Sequence, residues 1–345
     1  MLKKIIVVSL IAILFCVPAF SYEWQKGICY TTWTKDKYVS PASDESLKTL
    51  RGTGATWVSV LTTWYQDSCH DTDIHPTDKT PSDESIVHAI KEAHSLGMKV
   101  MIKPHLDIID TSDGSWRGDI GCKLDTDLDA WFESYKNFIV HYAVLAEENK
   151  AEMLCIGTEL TSISAMREDK WRDVVIKSVR EVYKGPLTYA SNWNDEYGHI
   201  KFWDALDYVG IDAYYPIVED KAVPTLEEIK KGWEPWVKDI EEFQKRVNKP
   251  IIFPEVGYCS ADWTAKTPWE DLTGNTNVKL QEDCYEALLE TFWDKEWFYG
   301  LYWWRWGTNK NFGGPNNRGY VFQNKPAQKI VEKWYKKHTP TKLKY

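Results

Sequence analysis

Apolar and polar positions follow one another along this chain in blocks that predict alternating strands and helices. Short β-branched runs with few charges are typical of strands that are buried on both faces. Eight such runs occur, at 26–33, 55–64, 99–108, 153–160, 186–193, 208–217, 250–258 and 298–306. Runs of this kind predict a parallel sheet whose two faces are both covered by other elements.

Amphipathic helical patterns separate these runs. Ser and Asp residues that can cap a helix open the first two patterns, and Gly closes them. The predicted helices cover 43–54, 82–97, 127–149, 168–183, 200–206, 225–248, 279–294 and 324–337. Strict alternation of strand and helix indicates right-handed crossovers. Eight units predict an α/β fold with a single closed (β/α)8 TIM barrel.

A doubly wound open sheet is the alternative fold. That fold carries a Gly-rich phosphate loop after its first strand, whereas residues 31–38 contain no glycine. No change of composition and no Pro/Ser-rich linker divides the chain. We therefore expect one catalytic domain over 22–338, followed by a polar tail over 339–345.

The first 21 residues have the pattern of a secretory signal peptide. Two lysines precede an apolar stretch at 5–17, and Ala19 and Ser21 are the small residues before a cleavage position. The stretch is shorter than the roughly 20 residues of a transmembrane helix, and no later segment is apolar enough to span a membrane. The sequence predicts a secreted or periplasmic protein without a membrane partner; an uncleaved anchor is the alternative.

Net charge excludes one class of partner. Cleavage after Ser21 removes two lysines and no acid, which changes the formal net charge from −9 to −11. An acidic chain repels the phosphate backbone, so no nucleic-acid partner is expected. The charge is compatible with a neutral polymer as substrate, and a monomer is expected.

The cysteines and one polar loop are candidates for disulfide or metal sites. Cys29 and Cys155 lie within strand patterns and are predicted to be buried thiols. Cys69 and Cys122 lie in loops that would be neighbours in a barrel, so a disulfide and two free thiols both stay open. No CxxC spacing occurs, and no metal or other cofactor is expected. The loop 70–78 matches no calcium or zinc pattern; a structural cation there is the minority interpretation.

Two strand patterns end in a lone glutamate, Glu159 in 153–160 and Glu255 in 250–258. A charge beside an apolar core loses hydration, which favours a chemical role over a passive one. In a TIM barrel the C-terminal ends of the strands form the active site. Two carboxylates at one glycosidic bond are the requirement of a glycosidase, and their separation decides between retention and inversion.

Other strand ends supply candidates for sugar binding. Trp and Tyr each occur 19 times, and an indole can stack on the apolar face of a sugar ring. The aromatic candidates are Trp33, Trp64, Trp193 and Trp304. The polar candidates, grouped by shared strand faces, are Lys103 with His105, Asn192, and Asp212 with Tyr214. Each of these residues has packing or an internal ion pair as its structural alternative.

Six short motifs occur together in this chain, and in combination they resemble glycoside hydrolase family 113 of clan A. The motifs are GTEL at 157–160, PEVGY at 254–258, KPHLD at 103–107, SNW at 191–193, GIDAYYP at 210–216 and YWWRW at 302–306. The resemblance covers roughly residues 24–337. It implies a (β/α)8 barrel and a retaining β-1,4-mannanase.

The resemblance also implies roles for single residues. Glu159 would be the acid/base and Glu255 the nucleophile. Tyr214 would donate a hydrogen bond to the nucleophile, and Trp304 would form the floor of the sugar site. Thr158 departs from the wider clan, in which Asn often stands before the acid/base and holds the sugar 2-hydroxyl. The residue that holds that hydroxyl is therefore not assigned.

The sequence thus predicts a secreted enzyme that cleaves β-1,4-mannosidic bonds in mannan poly- or oligosaccharides by double displacement. Two alternatives stay open at this point. One is a retaining clan A glycosidase that acts on β-glucan, xylan or galactan. The other is a catalytically silent carbohydrate-binding barrel. The sequence does not distinguish endo from exo action.

Overall fold

The strands close into a barrel, as predicted. The structure is a computed structural model that describes residues 22–121, 127–271, 274–340 and 342. All neighbouring strands are parallel and follow chain order, and the last strand pairs with the first. The strands are β1 (Gln25–Thr31), β2 (Trp57–Gln66), β3 (Lys99–Ile108), β4 (Met153–Thr158), β5 (Leu187–Asn192), β6 (Val209–Asp212), β7 (Ile251–Val256) and β8 (Phe298–Gly307). The prediction of a (β/α)8 TIM barrel is confirmed.

Helices connect the strands on the outside of the barrel. They are α1 (Pro41–Gly52), α2 (Asp83–Ser95), α3 (Leu128–Glu148), α4 (Thr161–Ser164), α5 (Glu168–Lys170), α6 (Lys177–Val182), α7 (Glu196–His199), α8 (Leu226–Val247), α9 (Val278–Phe292) and α10 (Pro326–Tyr335). Caps fix where several of them begin. The Ser82 hydroxyl accepts a hydrogen bond from Ser85 N, and Thr225 forms a capping box with Glu228.

The predicted helices at 168–183 and 200–206 differ from the observed ones. The first is interrupted by a π-helical turn at Trp171–Ile176, between α5 and α6. The second is a short 3-10 turn at Trp203–Ala205 that follows α7. Apolar spacing shows which face of a segment is buried, but over one or two turns it does not distinguish α, π and 3-10 hydrogen bonding.

The core has two parts because strand residues alternate between two faces. One part fills the space between strands and helices, and Trp131, Trp171 and Trp233 are among its fully buried side chains. The other part fills the inside of the barrel and includes Met101 and Met153. Because this interior is packed, a substrate can reach only the rim.

The structure also describes three of the cysteines discussed above. Cys29 and Cys155 are buried inside the barrel, as predicted. Cys69 is also a free, buried thiol, and its sulfur donates to Ser115 Oγ at 3.4 Å. Cys122, its possible disulfide partner, lies outside the described residues.

The predicted signal peptide at 1–21 lies outside the described residues as well. No helix in the described part of the chain has the length and apolar character of a membrane span.

Candidate active site

A cleft of about 650 Å³ lies at the C-terminal ends of the strands. Most of the side chains predicted for a sugar site line it together, although they come from seven different strands or the loops that follow them. These are Trp33, His105, Glu159, Asn192, Trp193, Tyr214, Glu255 and Trp304. The barrel therefore brings both glutamates into one solvent-accessible space.

Glu255 lies near the end of β7 with 5% of its surface exposed, and both of its carboxylate oxygens are held. Lys103 Nζ donates to Oε1 at 2.5 Å, and the Tyr214 hydroxyl donates to Oε2 at 2.9 Å. His105 Nε2 lies 3.1 Å from Oε1 without the alignment of a hydrogen bond. This carboxylate is rigidly oriented at the floor of the cleft.

Lys103 controls the ionisation of Glu255 at the floor of the cleft. Its side chain is fully buried, and its ammonium lies 3.3 Å from Asp212 Oδ2 in addition to its contact with Glu255. Burial by itself raises the pKa of Glu255, but the attraction to Lys103 outweighs it and places that pKa well below its usual range. Burial raises the pKa of Asp212, the more distant carboxyl. Glu255 is therefore the more readily ionised of these two carboxyl groups.

His105 is a neutral imidazole beside the nucleophile candidate. Burial, together with the nearby charges of Lys103 and Arg117, lowers its pKa to about 4. Arg117 Nη1 lies 3.2 Å from His105 Nδ1 and can only donate, so the single ring proton is on Nε2, on the side of Glu255. The ring is nearly parallel to Trp304, with centroids 6.0 Å apart.

Glu159 follows β4 directly and has the opposite electrostatic environment. Asn192 Nδ2 donates to its Oε1 at 2.9 Å, while the nearest cation, Arg117 Nη1, is 3.9 Å from Oε2. Burial raises the pKa of Glu159, the Arg117 charge opposes that shift, and the Glu255 charge adds to it. The net rise favours a protonated carboxyl, which is the form a general acid needs.

The backbone at Glu159 is held in an uncommon conformation. Its φ is 51°, in the left-handed region that is unfavourable for a residue with a Cβ, by about 1–2 kcal/mol. Two hydrogen bonds hold it there: Glu159 N donates to Ala190 O at 2.8 Å, and Leu160 N donates to the Tyr189 hydroxyl at 2.9 Å. The conformation points the carboxyl into the cleft rather than along the strand.

Glu196 is a buried carboxyl behind this arrangement, and sequence reasoning missed it. Its Oε1 accepts from the Tyr189 hydroxyl at 2.7 Å, and its Oε2 accepts from Asn192 N at 2.5 Å. Burial raises its pKa to about 7. Glu196 thus holds Tyr189 and Asn192, and these two residues hold Glu159. Tyr189 accepts from Leu160 N, next to Glu159 in the chain, and the Asn192 side chain donates to the Glu159 carboxyl.

Aromatic side chains form the walls of the cleft. Trp33 and Trp304 meet edge to face with centroids 6.3 Å apart, and Trp193 and Trp269 stack at 5.1 Å. Trp116 and Trp269 are 42% and 44% exposed. Flat apolar surfaces around two carboxyl groups suit a chain of sugar rings.

Comparison with known proteins agrees with this geometry. The model of Glycoside Hydrolase Family 113 matches residues 28–325, which is most of the chain. The chain belongs to glycoside hydrolase family 113. It is accordingly a glycoside hydrolase, and the cleft at the strand ends is its candidate active site. No match was found among curated proteins.

Solved structures of family 113 are similar over nearly the whole chain. A complex of a GH113 beta-1,4-mannanase is 30% identical, with a TM-score of 0.82 over 92% of this chain and 100% of that one. A GH113 beta-mannanase from Alicyclobacillus acidocaldarius in complex with ManMIm is 28% identical, with a TM-score of 0.79 over 91% and 97%. A beta-glucuronidase from Ruminococcus gnavus, at 11% identity, a TM-score of 0.61 and 91% and 50% coverage, shows the fold alone.

The expectation that Trp64 binds substrate is corrected by the structure of this family 113 chain. Thr63 pairs in register with His105, and Trp64 with Leu106. Because His105 faces the barrel axis, Trp64 faces outward, where its ring packs against Phe138 at 5.4 Å in the helix layer. A shift of one residue along a strand reverses the face.

Lys103 and Asp212 were also expected to bind substrate, and the structure places them beneath the cleft. Both side chains are fully buried and contact each other and Glu255 rather than the open space. Their action on a sugar is indirect, through the charge and orientation of Glu255.

Five further cleft residues lie in loops after strands and were not predicted: Trp116, Arg117, Trp269, Tyr320 and, directly after β5, Asn194. Trp116 and Arg117 follow β3, Trp269 follows β7, and Tyr320 follows β8. Their residue types alone carry no signal. Their positions do, because every loop after a barrel strand lies on the side of the active site.

Proposed function

We propose that this chain is a retaining β-1,4-mannanase that acts by double displacement, with Glu255 as nucleophile and Glu159 as acid/base. The observation that carries the proposal is the opposite electrostatic setting of the two glutamates in one cleft. Lys103 lowers the pKa of Glu255, whereas burial raises that of Glu159. One carboxyl is ionised while the other keeps its proton.

The low pKa of Glu255 supports retention rather than inversion. An inverting enzyme needs a base that accepts a proton from water, and a base works best when its pKa is near the operating pH. A carboxylate whose pKa lies well below its usual range is a weak base. The same carboxylate serves as a nucleophile, because covalent attack requires no proton transfer to it, and it also leaves readily in the second step.

The first step forms a glycosyl–enzyme ester. A Glu255 oxygen forms a bond to the anomeric carbon while the bond from that carbon to the leaving oxygen breaks, and Glu159 gives its proton to that oxygen. In the second step Glu159, now a carboxylate 3.9 Å from Arg117, takes a proton from water. The hydroxyl attacks the anomeric carbon and Glu255 is released as a carboxylate. Each of the two steps inverts the configuration of the anomeric carbon, so the product has the configuration of the substrate.

Substrate class is proposed from the similar structures. The two family 113 structures at 28–30% identity are named beta-1,4-mannanase or beta-mannanase. The aromatic walls agree with a polymer of neutral sugars. The signal-peptide pattern at 1–21 supports secretion or export to the periplasm, where a polysaccharide substrate is accessible.

A substrate panel combined with product stereochemistry tests this proposal. The mature chain is expected to release reducing sugar from β-mannan far faster than from β-glucan, xylan or galactan. Proton NMR at early times should show the β-anomer at the new reducing end. An initial α-anomer would contradict the role of Glu255, and a preference for another glycan would contradict the substrate. Mannan oligosaccharides of graded length would show whether cleavage is internal.

Variants of the two glutamates provide the matched test of roles. Glu159→Gln is expected to lose about 10²–10⁴-fold in kcat on oligosaccharides, with much less loss on an aryl mannoside whose leaving group needs no proton. Glu255→Gln should be inactive on both substrates. Glu45→Gln, on the exposed surface of α1, is the control and should retain full activity.

A further inference from the structure

We propose that Cys69, His70 and Asp113 form a binding site for a divalent transition metal ion of the zinc type, outside the active-site cleft. Cys69 and His70 lie in the loop after β2, and Asp113 lies in the loop after β3. Among the described residues, this is the one group of His, Cys, Asp and Glu side chains whose ligand atoms meet metal-site spacing. None of the three lines the cleft.

The separations of the ligand atoms fit one ion. The sulfur, nitrogen and oxygen atoms all lie within 4.8 Å of one another, and Cys69 Sγ is 3.7 Å from His70 Nε2. With zinc bonds of about 2.3 Å to sulfur and 2.0 Å to nitrogen, tetrahedral geometry requires a separation of about 3.5 Å between those two atoms. A shift of a few tenths of an ångström is within the reach of an exposed imidazole.

The donor types also select for such a metal. Thiolate, imidazole and carboxylate together suit a borderline-soft ion and not Ca²⁺ or Mg²⁺, which take oxygen ligands. Cys69 is 1% exposed while His70 and Asp113 are exposed. Three protein ligands on this half-open surface leave a fourth position for water. Binding releases the Cys69 thiol proton to solvent.

Polar neighbours hold the three ligands in place. Ser115 N donates to Asp113 Oδ1 at 2.9 Å, and Ser115 Oγ lies 3.4 Å from Cys69 Sγ, where it can donate to a thiolate. Asp71 lies outside this group; its Oδ2 accepts from Ser68 N and fixes the turn that contains Cys69 and His70. Hydrogen bonds from neighbouring residues to the ligand side chains orient them for metal binding.

The location gives the ion a structural task. It would join the loop after β2 to the loop after β3, and the latter carries Trp116 and Arg117 into the cleft. Arg117 in turn lies beside His105 and Glu159. An ion at Asp113 thus restrains the segment from which these two cleft residues project.

The test uses the mature chain, freed of metal by a chelator that is then removed. Zn²⁺ titrated by calorimetry is expected to bind at one ion per chain and to raise Tm. Co²⁺ should give the near-ultraviolet charge-transfer band of a thiolate ligand. His70→Ala and Asp113→Asn, at exposed positions, should weaken Zn²⁺ binding at least about tenfold, and Ser115→Ala should weaken it about 10–100-fold. Cys69→Ser should abolish the cobalt band.

Asp110→Asn in the same loop and His199→Ala at an exposed position in α7 are the matched controls and should bind Zn²⁺ like the native chain. Absence of stoichiometric Zn²⁺ binding to the native chain would overturn the proposal, as would a cobalt complex without the charge-transfer band. Equal affinity in the His70 and Asp113 variants would also overturn it. So would thiol titration and peptide mapping that find Cys69 in a disulfide with Cys122.

Discussion

At the scale of single residues, the site depends on an unequal distribution of two cations between two carboxyl groups. Lys103 touches Glu255 at 2.5 Å in a fully buried position, whereas Arg117 reaches Glu159 only at 3.9 Å and is partly exposed. Coulombic attraction grows as distance and local dielectric fall, so Lys103 lowers the pKa of Glu255 more than Arg117 lowers the pKa of Glu159. The two carboxyl groups can therefore hold different charges at one pH.

Replacing Lys103 should show this directly. In Lys103→Met the pKa of Glu255 rises, so the acid limb of the kcat/KM profile moves to higher pH. The variant also leaves buried carboxyl groups unpaired, which costs about 3–5 kcal/mol of unfolding free energy at neutral pH. That cost shrinks as pH falls from the unfolded carboxyl pKa towards the much lower folded pKa of Glu255, because only an ionised carboxylate needs the lysine.

Lys99→Met, on the same strand, is the control for Lys103. Lys99 pairs with Glu23 at 2.8 Å with 46% of its side chain exposed, and such a surface pair contributes about 0–1 kcal/mol. Denaturant unfolding across the pH range measures both variants. An unchanged acid limb in Lys103→Met would mean that the lysine does not control the nucleophile.

Replacing Arg117 should act on the other carboxyl. Because the Arg117 charge lowers the pKa of Glu159, Arg117→Gln raises it further and the basic limb of kcat/KM moves to higher pH. Gln has no charge but can still donate a hydrogen bond towards His105. The variant therefore tests the effect of the Arg117 charge without removing the hydrogen-bond donor. Arg167→Gln, at an exposed ion pair, is the control. A basic limb that moves to lower pH would contradict the assignment of Glu159 as the acid.

At the scale of elements, the loop from β5 into α7 supports the acid/base through Glu196. This carboxyl is buried, its pKa is raised to about 7, and it accepts from Asn192 N and the Tyr189 hydroxyl. In the folded state the ionised form is disfavoured. Stability linked to Glu196 is therefore lost as pH rises from about 4.5 to about 7, by up to about 3 kcal/mol.

Glu196→Gln should remove that pH dependence and disturb Glu159 at the same time. We expect the variant to gain stability relative to the native chain as pH rises through this window. We also expect kcat to fall more than KM changes, because Gln keeps one acceptor oxygen, so Asn192 N or the Tyr189 hydroxyl loses its partner. Urea unfolding at several pH values and steady-state kinetics measure the two effects. Parallel stability curves for both proteins would contradict a buried, titrating Glu196.

Sequence analysis could predict the strands and both glutamates because buried parallel strands are continuous apolar runs and a charge at their end is conspicuous. It could not predict the loops. Arg117 and Trp269 lie in segments whose path is set by contacts with other loops, and no periodicity reports such contacts. Trp64 shows a third limit: the residue type suited the cleft, but strand register placed its ring on the outer face.

At the scale of the whole molecule, the barrel separates a packed interior from a chemical rim. Apolar side chains such as Met101 and Met153 fill the interior, and the charged group around Lys103 lies above them. Eight strands that end on the same side bring Glu159 and Glu255 into one cleft despite their distance in sequence. The fold, rather than any local motif, creates the pair.

The central claim is that Glu255 forms the covalent bond to the sugar, and trapping of that bond tests it most directly. The protein would be incubated with a 2-deoxy-2-fluoro mannoside bearing a good leaving group, digested, and mapped by tandem mass spectrometry. We predict one added fluorosugar, attached to Glu255, with no adduct in Glu255→Gln. A label on Glu159 or another residue, or inverted product without any covalent intermediate, would contradict the account.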